Sequence, residues 1–188
     1  MKAPRLCDWQ IDKEWSLFLD RDGVINRRIP DEYVRRWSEF EFLPNTLVAL
    51  SRLAQQFGVI VMVTNQRGIG RHLMTERDLD VIHSQMLDAV RKSGGRIDRI
   101  YHCPHDHADH CDCRKPAIGL AVRAKDDFPM LDFGRAIMVG DSLSDMAFAD
   151  RAGLKKIWVG PESKKERGDP DFSFPSLEAF SLNLVADT

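Results

Sequence analysis

Short apolar runs rich in β-branched residues alternate along the chain with stretches whose apolar positions recur every three or four residues. The first run, Trp15 to Leu19, stops on Asp20, and the second, Val59 to Val63, stops on Thr64. Between them, Leu47, Leu50, Leu53 and Ala54 share one face of a helix predicted from about Thr46 to Phe57, with Gly58 as its stop. Thr75 and Asp78 have the spacing of a capping box, in which the threonine oxygen accepts an orphan N–H of the first turn. Leu79, Ile82, Met86 and Val90 then repeat at helical spacing up to Gly94-Gly95. A short strand is predicted near Ile97 to Tyr101, a helix from about Ile118 to Asp127, and a strand from Ala136 to Val139 that runs into Gly140-Asp141. Ser142 is placed to cap a helix reaching Gly153, and Leu154 to Val159 reads as another strand. Glu162 to Asp171 reads as a solvated loop, and the tail as a strand at Phe172 to Phe174 with a short helix after Ser176.

Strand-type runs alternating with helices imply a parallel sheet with crossover helices. The expected architecture is a single α/β domain over residues 1–188, a doubly wound, Rossmann-like sheet. The interval between Asp22 and Thr64 leaves little room for a large cap domain. With 188 residues, 43% apolar, the chain is long enough to bury a sizeable core. A formal charge of −2 and a pI near 6.3 give no pull toward nucleic acid or anionic membrane. No run approaches the roughly 20 apolar residues of a membrane helix, and the first fifteen residues are too polar for a signal peptide. These features predict a soluble, cytoplasmic protein.

The chemistry gathers where the predicted strands end. In open parallel sheets, ligands bind beyond the carboxyl ends of the strands, and Asp20, Thr64 and Asp141 each stand at such an end. Asp20 and Asp22 straddle one residue, with Gly23 allowing a sharp turn. With Asp141 they make three converging acids, which suit a hard divalent cation with oxygen ligands, magnesium above all. Lys115 in Arg-Lys-Pro supplies a positive charge for a phosphate monoester, and Thr64 with the following Asn65-Gln66 backbone supplies hydrogen bonds.

Asp-Arg-Asp-Gly-Val (20–24), Val-Thr-Asn-Gln (63–66), Arg-Lys-Pro (114–116) and Val-Gly-Asp-Ser-Leu-Ser-Asp (139–145) resemble, in order, the four motifs of the haloacid dehalogenase (HAD) superfamily of phosphatases. The resemblance runs across nearly the whole chain. It implies that Asp20 is the nucleophile and forms an aspartyl-phosphate. It implies that Asp22 protonates the leaving oxygen and then activates water. Asp20, the Asp22 carbonyl and Asp141 are the implied magnesium ligands, and Thr64 and Lys115 hold the phosphoryl group. Val24 departs from the pattern, since many relatives carry threonine there, and the expected effect is on local support.

Three of the four cysteines fall between Cys103 and Cys113, whereas Cys7 stands apart as an ordinary thiol. Cys103, His105, Cys111 and Cys113 offer three thiolates and an imidazole, a closed set suited to structural zinc. His102, His107 and His110 are alternatives to His105 as the nitrogen ligand. Because Cys113 is two residues from Lys115, zinc here would pin the loop that presents the lysine. A zinc loop immediately before Arg-Lys-Pro resembles two groups of the superfamily. One is the D-glycero-D-manno-heptose-1,7-bisphosphate 7-phosphatases of lipopolysaccharide-precursor synthesis. The other is the histidinol-phosphate phosphatase domain of bifunctional proteins. The five residues between His105 and Cys111 suit the histidinol group at least as well, while Asp-Gly-Val-Ile-Asn (22–26), the chain length and the lack of a second catalytic domain lean toward the heptose group.

The expected substrate is therefore a small phosphorylated metabolite, a sugar bisphosphate. Arg114 is the first candidate to bind it. Arg27, Arg28, Arg35 and Arg36 follow the nucleophile and would suit a second phosphate, or else form a solvated charged loop. Polynucleotide 3′-phosphatases share the chemistry, but no basic stripe or aromatic stacking set stands out. A zinc-loop binding protein without activity would have no use for the carboxylate–lysine set.

Overall fold

Six strands lie side by side: β1 (Ser16–Leu19), β2 (Val59–Asn65), β3 (Arg99–Cys103), β4 (Ala136–Gly140), β5 (Lys155–Val159) and β6 (Phe172–Phe174). They are taken from a computed structural model that describes residues 5–161 and 169–185. The sheet order is β3-β2-β1-β4-β5-β6 and every pairing is parallel, the doubly wound arrangement that the alternation predicts. The helices are α1 (Thr46–Gln56), the single turn α2 (Arg67–Gly70), α3 (Glu76–Lys92), α4 (Gly119–Asp127), α5 (Leu143–Ala152) and α6 (Leu177–Val185).

The strands are apolar throughout because both faces of the sheet are covered. Successive side chains point to opposite faces, so each strand feeds two cores. On β1, Leu17 and Leu19 pack in one core with Leu50 and Leu53 of α1, Ile82 and Met86 of α3, and Phe180 of α6. Phe18 packs in the other, with Leu120 of α4 and Phe148 of α5. The predicted capping box closes the start of α3: Thr75 accepts from the Asp78 N–H, and the Asp78 carboxylate accepts from the Thr75 N–H. Ser142 and Asp145 do the same for α5.

Three strand boundaries shift by two residues from the sequence expectation, the others by one at most. Strand β2 continues to Asn65, and β3 begins and ends two residues later than predicted. Asp98 is the reason for the second shift. Its carboxylate accepts from the Ile60 N–H and its own N–H donates to the Ile60 carbonyl, so the ladder opens only at Arg99 opposite Val61. The consequence is that Cys103 lies on the strand directly opposite Asn65. The turn α2 was not predicted, since four residues are too short to show a period. Most of the predicted Glu162–Asp171 loop lies outside the described residues.

Residues 21–45 contain no cap domain; their one helical element is the 3₁₀ turn Trp37–Glu39. The segment returns on itself through bridges from Asn26 to Asp22 and to Phe42, and Trp37 stacks on Phe40. No helix among the described residues is long and apolar enough to cross a membrane. From β1 the chain moves outward to β2 and β3, then returns past β1 to start β4 on its other side. The crevice between β1 and β4 is thus the switch point of the sheet.

Candidate active site

Asp20 follows β1 and is tied to β4, its N–H donating to the Val139 carbonyl at 3.0 Å. Asp141 follows β4, Thr64 lies near the end of β2, and Lys115 comes from the loop before α4. The Lys115 ammonium sits 2.8 Å from Asp20 Oδ1 and 2.6 Å from Asp145 Oδ1, and it donates to the Val63 carbonyl at 2.8 Å. Burial alone would lower its pKa, but the charges of Asp145 and Asp20 more than offset that, so the ammonium stays charged. Asp145 is anchored in turn, its second oxygen accepting from the Ser142 N–H and hydroxyl.

The acidic corner fits a divalent cation. Carboxylate oxygens of Asp20, Asp141 and Asp145 lie within 4.8 Å of one another. Asp145 is occupied by Lys115 and Ser142, which leaves Asp20, Asp141 and the nearby Asp22 carbonyl. Burial, with the neighbouring carboxylates adding to it, pushes Asp20 up to about 6 and Asp141 up to about 7. A cation would relieve this repulsion. The Arg28 guanidinium stands in that position, its Nη2 3.4 Å from the Asp22 carbonyl and 3.1 Å from Asp141 Oδ1. Gly23 permits the approach: its φ is +94°, and a Cβ there would lie 1.9 Å from Asp141 Oδ2. Val24, the residue that departs from the expected motif, is buried in the apolar core.

The Asp22 side chain and Gln66 are placed differently from the sequence reading, whereas Asn65 borders the same cavity as Asp20 and Thr64. The Asp22 carboxylate does not converge with Asp20. It turns to Arg21 Nη2, which approaches both oxygens at 3.0 and 2.9 Å, and to Asn26 Nδ2 at 2.9 Å and Gln66 Nε2 at 3.0 Å. Burial alone would raise its pKa, but the Arg21 charge and these hydrogen bonds hold it below the usual value. Gln66 bridges Asp22 to Thr64 Oγ1, and its N–H is taken by the Cys103 carbonyl, so it braces the site and does not face a substrate. The Asn65 amide brackets the Lys115 backbone, donating to its carbonyl at 3.1 Å and accepting from its N–H at 3.0 Å.

Cys103, His105, Cys111 and Cys113 come together with ligand atoms within 4.8 Å. The Sγ atoms of Cys103 and Cys111 are 3.5 Å apart, and His105 Nδ1 is 3.6 Å from Cys103 and 3.2 Å from Cys113, with no disulfide among the three cysteines. Tetrahedral zinc with bonds of about 2.3 Å spaces its sulfur ligands by roughly 3.7 Å, so the set fits. Of the alternative histidines, His102 faces Glu76 and His107 faces Arg114. The loop is fastened to the turn after β2, with Arg67 on Asp106 at 2.6 Å and the Gly70 N–H on the Pro104 carbonyl at 2.8 Å.

Asp20, Thr64, Lys115, Arg28, Tyr33 and Arg114 border a cavity of about 370 Å³. Arg114 Nη1 is buried without a hydrogen-bond partner. Arg27, Arg35 and Arg36 instead pair with Glu41, Glu32 and Glu39, as a solvated charged loop would. A larger cavity of about 770 Å³ lies at the opposite ends of the strands, but its Arg96 is spent on the Phe57 and Gly58 carbonyls and none of the four motifs reaches it. Sequence reasoning missed Arg21, His83 and Asp145 as members of the site. His83 carried a signal, because it interrupts the apolar face of α3 four residues after Leu79 yet is buried.

Comparison with known proteins places this geometry. Residues 112–179 match the HAD-hydrolase-like family. The D-glycero-α-D-manno-heptose-1,7-bisphosphate 7-phosphatase of Mycobacterium tuberculosis is 40% identical over 178 residues, 90% of each chain. The D-glycero-β-D-manno-heptose-1,7-bisphosphate 7-phosphatase of Bordetella bronchiseptica is 39% identical over 140 residues, 73% of this chain and 75% of its own. The crystal structure of D,D-heptose 1,7-bisphosphate phosphatase from B. bronchiseptica, complexed with magnesium and phosphate, superposes with a TM-score of 0.80 at 31% identity, covering 93% of this chain and 99% of that one. With strand-end acids, a buried lysine and relatives matched over nearly its full length, this chain belongs to the heptose-1,7-bisphosphate 7-phosphatase family of HAD-like phosphatases.

Proposed function

We propose that the chain removes the 7-phosphate of D-glycero-α-D-manno-heptose 1,7-bisphosphate by way of a phosphorylated Asp20, with Mg²⁺ and a structural zinc ion as its metals. The observation that carries this reading is the Lys115 ammonium, buried between Asp20 and Asp145 beside a corner where the Asp20 and Asp141 carboxylates converge. Asp20 Oδ attacks phosphorus while the bond to the sugar oxygen breaks, and Asp22 gives that oxygen a proton. Asp22 then takes a proton from water, the water oxygen attacks phosphorus, and the bond to Asp20 breaks to release phosphate. Lys115 and Thr64 hold the phosphoryl oxygens throughout. Asp20, Asp141 and the Asp22 carbonyl would hold Mg²⁺, whose charge offsets that of the transferring group. As oriented here the Asp22 side chain is fully engaged and held ionised, so to act as the acid it turns outward from Arg21 and Gln66, takes up a proton from solvent there, and then reaches the leaving oxygen. Cys103, His105, Cys111 and Cys113 would hold zinc and through it the backbone that presents Arg114 and Lys115.

The choice of a sugar bisphosphate rests on the relatives and on Arg114, whose unpartnered Nη1 suits a second anionic or hydroxyl group of the substrate. The α anomer is favoured because the relative named for it matches over 178 residues, against 140 for the relative named for β. A comparison of kcat/KM for both heptose bisphosphate anomers and for histidinol phosphate tests this, with the α anomer expected first. A preference for histidinol phosphate would replace the substrate and keep the mechanism. Asp20→Asn should abolish all three activities, with a loss of about 10⁴-fold or more. Turnover by that variant at the wild-type rate would refute the covalent route.

A further inference from the structure

Behind Asp22 lies a buried polar relay that takes no part in the proposed reaction steps. The Arg21 side chain is 1% exposed, one of the largest fully buried side chains described. Two of its nitrogens go to Asp22, Nε to Oδ1 at 3.3 Å and Nη2 to both oxygens. The third, Nη1, is 3.3 Å from Nε2 of His83 on α3. A guanidinium has donors only, so Nε2 must present its lone pair and His83 carries its proton on Nδ1. Burial and the adjacent Arg21 charge, with His102 adding to them, push His83 down to about 3, which keeps it neutral. The groups around it are Arg21, Asp22 and His102, whose ring is 6.2 Å away and whose Nε2 faces Glu76.

We propose that His83 is a positioning residue: by accepting from Arg21 Nη1 it fixes the plane of the guanidinium, and the guanidinium fixes where the Asp22 carboxylate rests and returns. This rests on Asp22 being the acid and base proposed above. The physical logic is one of alignment. A buried guanidinium with a free N–H turns to find an acceptor, and the fork that grips Asp22 turns with it. An apolar residue at position 83 would fit the surrounding face of α3, formed by Leu79, Ile82 and Met86, so packing alone does not call for histidine.

Leaving-group dependence separates positioning from plain structural support. Cleavage of an alkyl phosphate needs a proton on the departing oxygen, whereas p-nitrophenolate leaves without one. The measurement is the single-turnover rate of leaving-group release at saturating Mg²⁺ for glycerol phosphate and for p-nitrophenyl phosphate. His83→Met is expected to slow the alkyl ester about tenfold and the aryl ester less than twofold. His83→Gln, which keeps an acceptor, should restore the alkyl rate to within about twofold of wild type. Arg21→Gln breaks the relay at its other member and should show the same selectivity, which covers the case in which His83→Met folds poorly. Equal losses on both esters, or no loss on either, would overturn the proposal. Asp22→Asn serves as the reference. If it too lacks selectivity, the acid role of Asp22 fails, and that outcome is distinct from a failure confined to His83.

Discussion

Among the described residues there are two clusters of metal-ligand type, built in opposite ways. The cysteine–histidine cluster draws all its ligands from one eleven-residue stretch and encloses them tightly. The acidic cluster takes its groups from the ends of different strands, Asp20 after β1 and Asp141 after β4, with Lys115 arriving from the loop before α4. Its carboxylates are pushed up by burial and mutual repulsion, so it is a corner under electrostatic strain that a cation would relieve. The difference teaches a division of labour. A closed local set suits holding a loop, whereas an open, strained, long-range set suits binding something that comes and goes.

The two clusters are joined by Asn65 and by the Cys103–Gln66 backbone hydrogen bond, and most ways of breaking the comparison pass through that seam. The largest effect is expected from Cys113→Ser or from zinc chelation with Mg²⁺ kept. Phosphatase turnover should fall about 100-fold and return when zinc is restored to the chelated wild type. An unchanged rate would mean that the loop stands without the proposed zinc. Next comes Asn65→Ala, which removes both bonds to the Lys115 backbone. It should cost about 2 kcal/mol in urea unfolding and about tenfold in kcat, while zinc content stays constant. If kcat holds, Lys115 is positioned by Asp20 and Asp145 alone.

The third effect depends on pH. Asp20 and Asp141 have folded-state pKa values raised above the ordinary 3.8, to about 6 and about 7. Their contribution to metal-free stability is therefore complete below about pH 4 and is lost as pH rises through 6 to 7. The proposed magnesium site needs this pair ionised, so the rise in Tm on adding Mg²⁺ should be clearly larger at pH 8 than at pH 5.5. Equal shifts at the two pH values would show that the cation sits elsewhere. The smallest effect is expected of Arg28→Gln. Its guanidinium is half exposed and contacts Asp141 and the Asp22 carbonyl, where it would compete with the proposed cation. Removing it should lower the Mg²⁺ concentration for half-saturation by about two- to fivefold, measured by titration calorimetry. Weaker Mg²⁺ binding in that variant would make Arg28 a helper of the site.

Legibility followed the same line between local and distant. The alternation of runs predicts the parallel sheet because strand burial on both faces and helix burial on one leave different periods. The Thr75–Asp78 and Ser142–Asp145 caps close over three residues, and the Cys/His set over eleven, so spacing alone announces them. The motif residues were readable as types, but their directions were not. Asp22 was expected to converge with Asp20, yet it is turned by Arg21, Asn26 and Gln66, the last of them forty-four residues away. The backbone of Asn65 and Gln66 was expected at the phosphate; Asn65 borders the cavity beside Asp20, the Gln66 N–H is taken by the Cys103 carbonyl, and the two side chains brace Lys115 and Asp22. Asp145 stood in the last motif without a role until Lys115 was found against it.

The amino-acid order by itself thus determined the kinds of element, the caps, the likeness to HAD phosphatases and the inventory of chemical groups. Each of these depends on residues close together in the chain or on their types alone. Only the tertiary structure decided which carboxylate faces the nucleophile, which pairs with the lysine and which is gripped by a buried arginine. Those choices depend on desolvation and on partners supplied by other strands and helices. A side chain at a strand end has several rotamers of similar intrinsic energy, and the neighbours brought there by the sheet select among them.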